Sequence, residues 1–261
     1  MPKRRIDALL AERGLAGSRT SAAESVRAGR VRIGQDGPIA SKPSQLIAPD
    51  ADLVVIEPPR YVSRGGLKLE NALNELAIDV AGLDCLDVGA STGGFTDCLL
   101  KRGAARVIAL DVARGQLDWG LRNDPRVTVI ERANARALDA AELPFTPQLA
   151  TVDVSFISLE KVLPAVVACL DADGELLAMV KPQFELGPER VGKGGVVRDA
   201  EARRDALRGA ARAAERCGLA VRGLASSGLP GPKGNRETFI HATRTGESVG
   251  DLEAAIRAVE P

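Results

Sequence analysis

The sequence predicts an α/β protein in which a small N-terminal α+β domain precedes a doubly wound parallel sheet. Three observations predict it. Apolar strand-like segments alternate with helical ones from residue 67 onward. A glycine-rich turn follows the first of those strands, in Leu86-Asp87-Val88-Gly89-Ala90-Ser91-Thr92-Gly93-Gly94. The stretch before them carries its own helix–helix–strand pattern and ends in Pro58-Pro59.

In that front stretch Ile6, Leu9 and Leu10 give residues 5–13 one apolar face, and Gly14 stops the helix. Ser18 can cap a second helix running through Ala28, stopped by Gly29. Two short alternating segments follow, residues 31–34 and 53–57. Between them lies a turn-rich stretch with Gly37, Pro38 and Pro43. The reading is a domain over residues 1–59, a linker over 60–66 and a second domain over 67–261.

In the second domain a helix over 67–76 comes first. Strands are expected at 85–88, 107–112, 127–131, 150–154, 175–180, 220–224 and 238–242. Helices are expected at 95–102, 116–122, 159–170 and 200–217. Apolar strands alternating with helices require a parallel sheet covered on both faces, a Rossmann-like layout. The last two strands are joined by a loop rather than a helix. That predicts a hairpin with one antiparallel strand at the sheet end.

At 261 residues, 45% hydrophobic and 27% charged, the chain can bury a sizeable core. Its 35 basic and 35 acidic residues cancel. Residues 1–64, however, hold 11 Lys/Arg against 7 Asp/Glu, so the front end is basic, which suits a nucleic-acid contact. The four cysteines, Cys85, Cys98, Cys169 and Cys217, form no C-x-x-C pair, and His241 is the only histidine; metal-ligand spacing is absent. Three of the four cysteines lie in apolar surroundings and read as buried. No signal peptide and no apolar run near the ~20 residues of a membrane span is visible, so a cytoplasmic protein without membrane contact is expected.

The glycine turn lets the backbone approach a ligand closely. Its spacing is not G-x-G-x-x-G, which argues against a pyrophosphate. Asp111 ends the next strand, where a carboxylate can accept both ribose hydroxyls of a nucleoside. Asp87, near the turn, suits a cationic or amine-bearing ligand. Asn134, after the third strand, is placed to read an adenine. S-adenosylmethionine, with a sulfonium, an amino group and no phosphate, fits these residues: Asp87, Gly89, Ala90, Ser91, Thr92, Gly93, Gly94, Asp111, Asn134 and Asp153. A generic Rossmann turn binding some other ligand is the alternative. The segment Gly187-x4-Gly192-Lys193 imitates a phosphate loop, but Gly194 stands where Ser or Thr must hold magnesium, so a substrate-side loop is expected instead.

Three ionisable residues fall at or near strand ends on the ligand edge of the sheet: Asp153, Lys181 and Glu237. Lys68, on the preceding helix, can join them. Singly, each reads as a solvated edge residue; together they suit a transfer that needs a proton acceptor. A lysine crowded by a second lysine in a partly dry site can lose its charge well below its ordinary value of about 10.4 and act as a general base.

These four residues resemble the Lys-Asp-Lys-Glu tetrad of FtsJ-like 2′-O-methyltransferases. The front stretch is similar to a small RNA-binding module first described in a ribosomal protein, through Arg5-Ile-Asp-Ala-Leu-Leu, Gly14-Leu, Ser18-Arg19, Gly29-Arg-Val-Arg-Ile and Lys42-Pro43. With the joining Arg60-Tyr61-Val62-Ser63-Arg64-Gly65-Gly66, the whole resembles the TlyA family of rRNA cytidine 2′-O-methyltransferases. Some members have a linker tryptophan where this chain has Tyr61. The resemblance implies a class I methyltransferase fold, catalytic roles for Lys68, Asp153, Lys181 and Glu237, and ribosomal RNA within ribosomal subunits as partner. RNA contacts are expected from Arg4, Arg19, Lys42, Arg60 and Arg64, with no metal. A non-catalytic ribosome-assembly protein and a haemolysin are the alternatives. A base methyltransferase fits less well, since Asp153-Val-Ser-Phe156 stands where base-amine enzymes often show Asn-Pro-Pro-Tyr.

Overall fold

The computed structural model describes residues 2–56 and 60–260. The chain divides into two compact units, residues 1–59 and 60–261.

In the first unit the order is β1 (Arg4–Arg5), α1 (Ile6–Glu12), α2 (Arg19–Arg27), β2 (Val31–Ile33), β3 (Leu46–Ile47) and β4 (Leu53–Val55). The Ser18 hydroxyl accepts from the Ser21 N–H at 3.1 Å and starts α2. Two antiparallel pairs, β1 with β3 and β2 with β4, close the unit. Its core is small: Ile6, Leu9, Leu10, Ala22, Val26, Val31, Ala40, Ile47 and Leu53. The β1–β3 pair was not expected, because two residues are too few to show a period. The expected strand over 53–57 ends at Val55; Glu57, Pro58 and Pro59 lie outside the described residues.

The second unit opens with α3 (Arg64–Glu75), then β5 (Asp84–Val88), α4 (Gly94–Lys101), β6 (Arg106–Asp111), α5 (Trp119–Arg122), β7 (Val127–Glu131) and β8 (Leu149–Val152). It continues with α6 (Leu163–Ala168), β9 (Glu175–Val180), α7 (Pro182–Glu185), α8 (Ala200–Arg216), β10 (Ala220–Ser226), β11 (Thr238–Thr243) and α9 (Leu252–Val259). One seven-stranded sheet runs β10-β11-β9-β8-β5-β6-β7. β11 is antiparallel to both neighbours, so the antiparallel strand lies one in from the edge, with β10 outside it. Successive side chains feed opposite faces: Leu176, Ala178 and Val180 of β9 join one core, Leu177 and Met179 the other.

Several boundaries differ from the sequence reading for local reasons. α3 starts at Arg64, so three residues assigned to the linker are helical. Gly66 makes that possible: a Cβ there would lie 2.3 Å from Tyr61 Cγ, so only glycine lets the helix pass beneath the ring. The helix expected over 159–170 is split into a 3₁₀ turn and α6, with Pro164 in the first turn of α6, where its missing N–H costs nothing. The helix expected over 116–122 is one turn, started by the Asp118 carboxylate accepting from Gly120 N at 2.8 Å.

β5 has β6 on one side and β8 on the other. Connections therefore leave in opposite directions between β5 and β8, and the crevice beyond their carboxyl ends is where such sheets bind ligands.

Candidate active site

The turn after β5 is held against the end of β6. Gly89 N and Ala90 N both donate to Leu110 O, at 2.8 and 3.1 Å. Gly89 has φ +86°, and a Cβ there would lie 2.5 Å from the Asp153 carbonyl oxygen, so only glycine brings this turn against the end of β8. The Asp111 carboxylate fixes the turn from the other side. One oxygen accepts from Ser91 N and the other from Ala113 N, each at 2.7 Å.

A cavity of about 590 Å³ opens here, bordered by Gly89, Asp111, Gln116, Asn134, Asp153 and Phe156 among others. Asn134 starts a 3₁₀ turn, its side-chain oxygen accepting from Arg136 N at 3.1 Å. A second cavity of about 400 Å³ adjoins it, with Ala90, Thr92 and Gly94 on its wall. Gly89, Ser91 and Asp153 border both.

Two residues expected at the ligand line neither cavity. Gly93 is the left-handed residue that starts α4. Asp87 is 0% exposed and turned under α4, where one carboxylate oxygen accepts from Thr96 N at 2.9 Å and Thr96 Oγ1 at 2.6 Å. Burial pushes its carboxyl up to about 7, against the opposing pull of the Thr96 hydroxyl. Asp87 therefore supports the turn from below, and its expected direct contact with a cationic ligand is corrected.

Lys68, Asp153, Lys181 and Glu237 all border the second cavity, although they come from α3 and from the ends of β8, β9 and the loop before β11. They form two ion pairs. Lys68 contacts Glu237 directly, both side chains being buried. Lys181 Nζ lies 2.6 Å from Asp153 Oδ1, side-on, since that oxygen receives no hydrogen bond. Lys181 Nζ does donate to Ser155 Oγ, at 2.9 Å.

Two neighbours escaped the sequence reading as site residues. One is Ser155. The other is Phe156, which is 91% exposed at φ +64°, a strained position for an aromatic residue. Its ring rests 5.0 Å from that of Phe184. A hydrophobic residue in a short loop gives no periodic signal, and its place in Asp153-Val-Ser-Phe156 was used only to weigh against base methylation.

Of the basic residues expected at RNA, Arg64 borders the second cavity and donates to Pro230 O at 2.8 Å. Arg60 pairs with Glu70 at 2.7 Å. In the first unit Arg4 pairs with Glu12, and Lys42 is exposed. Arg19 Nε lies 3.4 Å from Asp7, whose buried carboxylate also takes two bonds from Arg5, at 3.0 and 2.7 Å. Those bonds hold the Asp7 carboxyl below its usual range. Arg5 and Asp7 belong to the module's signature, but neither was expected at RNA.

The phosphate-loop imitation at 187–194 lies between α7 and α8 rather than at a strand end. Asn235 ties it to the loop before β11, accepting from Val197 N at 2.9 Å and donating to Gly195 O at 2.7 Å. Cys85, Cys98 and Cys169 are buried and Cys217 is half-buried, all as free thiols. Among the described residues no three His, Cys, Asp or Glu side chains are gathered as a metal site needs.

The family model for FtsJ-like methyltransferases matches residues 61–244. The chain belongs to the FtsJ-like methyltransferase family. This FtsJ-like chain is 50% identical over 238 residues to the 16S/23S rRNA (cytidine-2′-O)-methyltransferase TlyA of Mycobacterium tuberculosis, covering 90% of this chain and 88% of that relative. A solved structure from Streptococcus thermophilus, labelled a hemolysin, is 40% identical with a TM-score of 0.75, covering 99% of this chain and 94% of that one. A Listeria monocytogenes structure labelled an S-adenosylmethionine-dependent methyltransferase, 15% identical, covers 70% of this chain and all of its own, with a TM-score of 0.50, and shares the fold.

Proposed function

We propose that this FtsJ-like methyltransferase transfers a methyl group from S-adenosylmethionine to the 2′-hydroxyl of a cytidine in ribosomal RNA, within ribosomal subunits. The observation that carries the reading is the common wall. Asp153 borders both cavities, so a donor in one and an acceptor in the other would meet beside it.

The larger cavity suits the donor. Each Asp111 oxygen takes one backbone N–H and keeps a lone pair for a ribose hydroxyl. Asn134 spends its oxygen on Arg136 and keeps its amide N–H for a purine nitrogen. Asp153 puts negative charge where a cationic group would lie. S-adenosylmethionine, when bound, supplies a methyl group activated by its sulfonium.

In the smaller cavity Lys181 takes up the proton of the attacking hydroxyl, and Asp153 balances the charge that results. Lys68 and Glu237 orient the ribose. Ion pairs withdrawn from water contribute little net stability, so the buried Lys68–Glu237 pair and the partly exposed Lys181–Asp153 pair on one cavity wall support a chemical role over a structural one. A nucleotide still stacked and paired in a helix cannot enter such a cavity, so the target nucleotide must be presented unstacked, and Phe156 offers its face to the base. Arg4, Arg5, Arg19 and Lys42 of the first unit, with Arg60 and Arg64 of the second, contact phosphates.

Cytidine and ribosomal RNA are supported by the half-identical TlyA relative. A substrate within ribosomal subunits supports a cytoplasmic site of action. No helix among the described residues is long and apolar enough to cross a membrane, and the reading calls on no membrane or metal partner. The test is to incubate the purified chain with isolated small and large subunits and S-adenosylmethionine, then map ribose methylation by nuclease digestion and mass spectrometry. The expected product is 2′-O-methylcytidine. Intact S-adenosylmethionine binding with no methylated ribose in either subunit would overturn the reading in favour of a non-catalytic assembly protein.

A further inference from the structure

We infer that Ser155 is a positioning residue for Lys181, setting the direction in which its amine faces the acceptor cavity. The inference rests on Lys181 as proton acceptor. A lysine ends a flexible four-carbon stem in a rotor with three N–H groups, and charge alone does not fix a rotor. Asp153 Oδ1 stands 2.6 Å from Nζ but off the hydrogen-bond angle, so it draws an N–H by charge and holds its direction only loosely. Ser155 Oγ, at 2.9 Å, takes a directed N–H bond. Ser155 borders the larger cavity and Lys181 the smaller, so this bond crosses the wall between them.

The direction matters because of what a neutral amine carries: two N–H groups and one lone pair. With one N–H given to Ser155 and the other drawn toward the Asp153 carboxylate, the lone pair is left for the acceptor cavity. That is where the hydroxyl proton must go. Without the serine hydroxyl only the Asp153 charge holds the amine, which can then turn an N–H toward the hydroxyl that should be donating.

Ser155 is exposed, so substitution there leaves the core intact. Ser155→Ala is expected to lower kcat about 10-fold or more, part of the roughly 10²–10⁴ that a placed base supplies. KM for ribosomal subunits and Kd for S-adenosylmethionine, measured by calorimetry, should stay within about twofold, as for an interaction used only in the transition state. Ser155→Thr keeps the hydroxyl and should retain most of the turnover. Wild-type kcat in Ser155→Ala, equal losses in the Ala and Thr variants, or a loss confined to S-adenosylmethionine binding would each overturn the assignment. Lys181→Arg, measured in parallel, separates the two levels. If it turns over normally, the base reading fails and the Ser155 role with it. If it is inactive while Ser155→Ala is unimpaired, the Ser155 role alone falls.

Discussion

Asp153 Oδ1 lies 2.6 Å from Lys181 Nζ, and Asp153 borders both cavities while Lys181 borders only the smaller. On the proposed mechanism this one carboxylate serves the donor side and offsets the charge that Lys181 gains on the acceptor side. Removing it should damage both functions together, whereas the residues around it separate them.

Asp111 belongs to the donor side alone. Its carboxylate already orders Ser91 and Ala113 and has lone pairs left for two ribose hydroxyls. Asp111→Ala should weaken S-adenosylmethionine by about 10- to 100-fold, the loss of one or two charge-assisted hydrogen bonds. Calorimetry reads this directly; unchanged affinity would remove Asp111 from the donor site.

Phe156 borders the larger cavity, but its ring is 91% exposed and so open to a base of the acceptor RNA. Stacking of a base on an aromatic ring is worth about 1–3 kcal/mol. Phe156→Ala should lower kcat/KM for ribosomal subunits by about 5- to 100-fold without altering S-adenosylmethionine affinity. Phe156→Tyr should restore most of it and Phe156→Leu should not. Full activity in the leucine variant would mean that the ring contributes bulk rather than a stacking face.

Asp87 gives a stability signature. Burial raises its carboxyl to about 7, above its unfolded value near 4. The folded state then holds the proton more tightly, and the stability this brings is present below pH 4 and lost as pH rises through 7. The neutral Asp87→Asn variant keeps an oxygen for Thr96 and has no such loss. The melting temperature of the wild type relative to this variant should fall between pH 4 and 7, by the equivalent of roughly 4 kcal/mol. A constant difference across that range would contradict the buried, protonatable Asp87.

Asp7 gives a test in which the sign is informative. Deleting a negative charge from an RNA-binding face ordinarily tightens binding, because phosphate attraction dominates. Here Asp7 holds Arg5 and Arg19 in place. Asp7→Asn should therefore weaken binding of the full chain to deproteinised ribosomal RNA, by about 3- to 10-fold for two less ordered phosphate contacts. Filter binding at several salt concentrations measures it; tighter binding would mean that Asp7 merely offsets the two arginines.

Much of this arrangement was legible in the sequence because parallel sheets bring strand ends to one edge. Asp111, Asp153 and Lys181 each terminate an apolar run, and that alone placed them. Asp87 also lies in such a run and was misplaced, because position along a strand does not say whether the side chain faces the crevice or turns beneath the next helix. Only the Thr96 contacts decide that. Lys68 and Glu237 were legible as members of a tetrad, but not as partners of one another, which is a matter of side-chain reach. Ser155 and Phe156 went unread as site residues because a loop of a few residues has no period and its backbone strain is invisible in the sequence.

On the proposed mechanism Lys181 receives the proton of the ribose hydroxyl. Arginine at this position keeps the positive charge and the capacity to bind phosphate or Asp153, but a guanidinium does not give up its proton in the working range. The direct measurement is single-turnover methyl transfer to ribosomal subunits by Lys181→Arg, with S-adenosylmethionine and subunit affinities measured on the same protein. Binding is expected within about threefold of wild type and the methyl-transfer rate at least about 100-fold lower, the scale of lost base catalysis. Near-normal transfer by the arginine variant would contradict it and leave Lys181 as a phosphate contact.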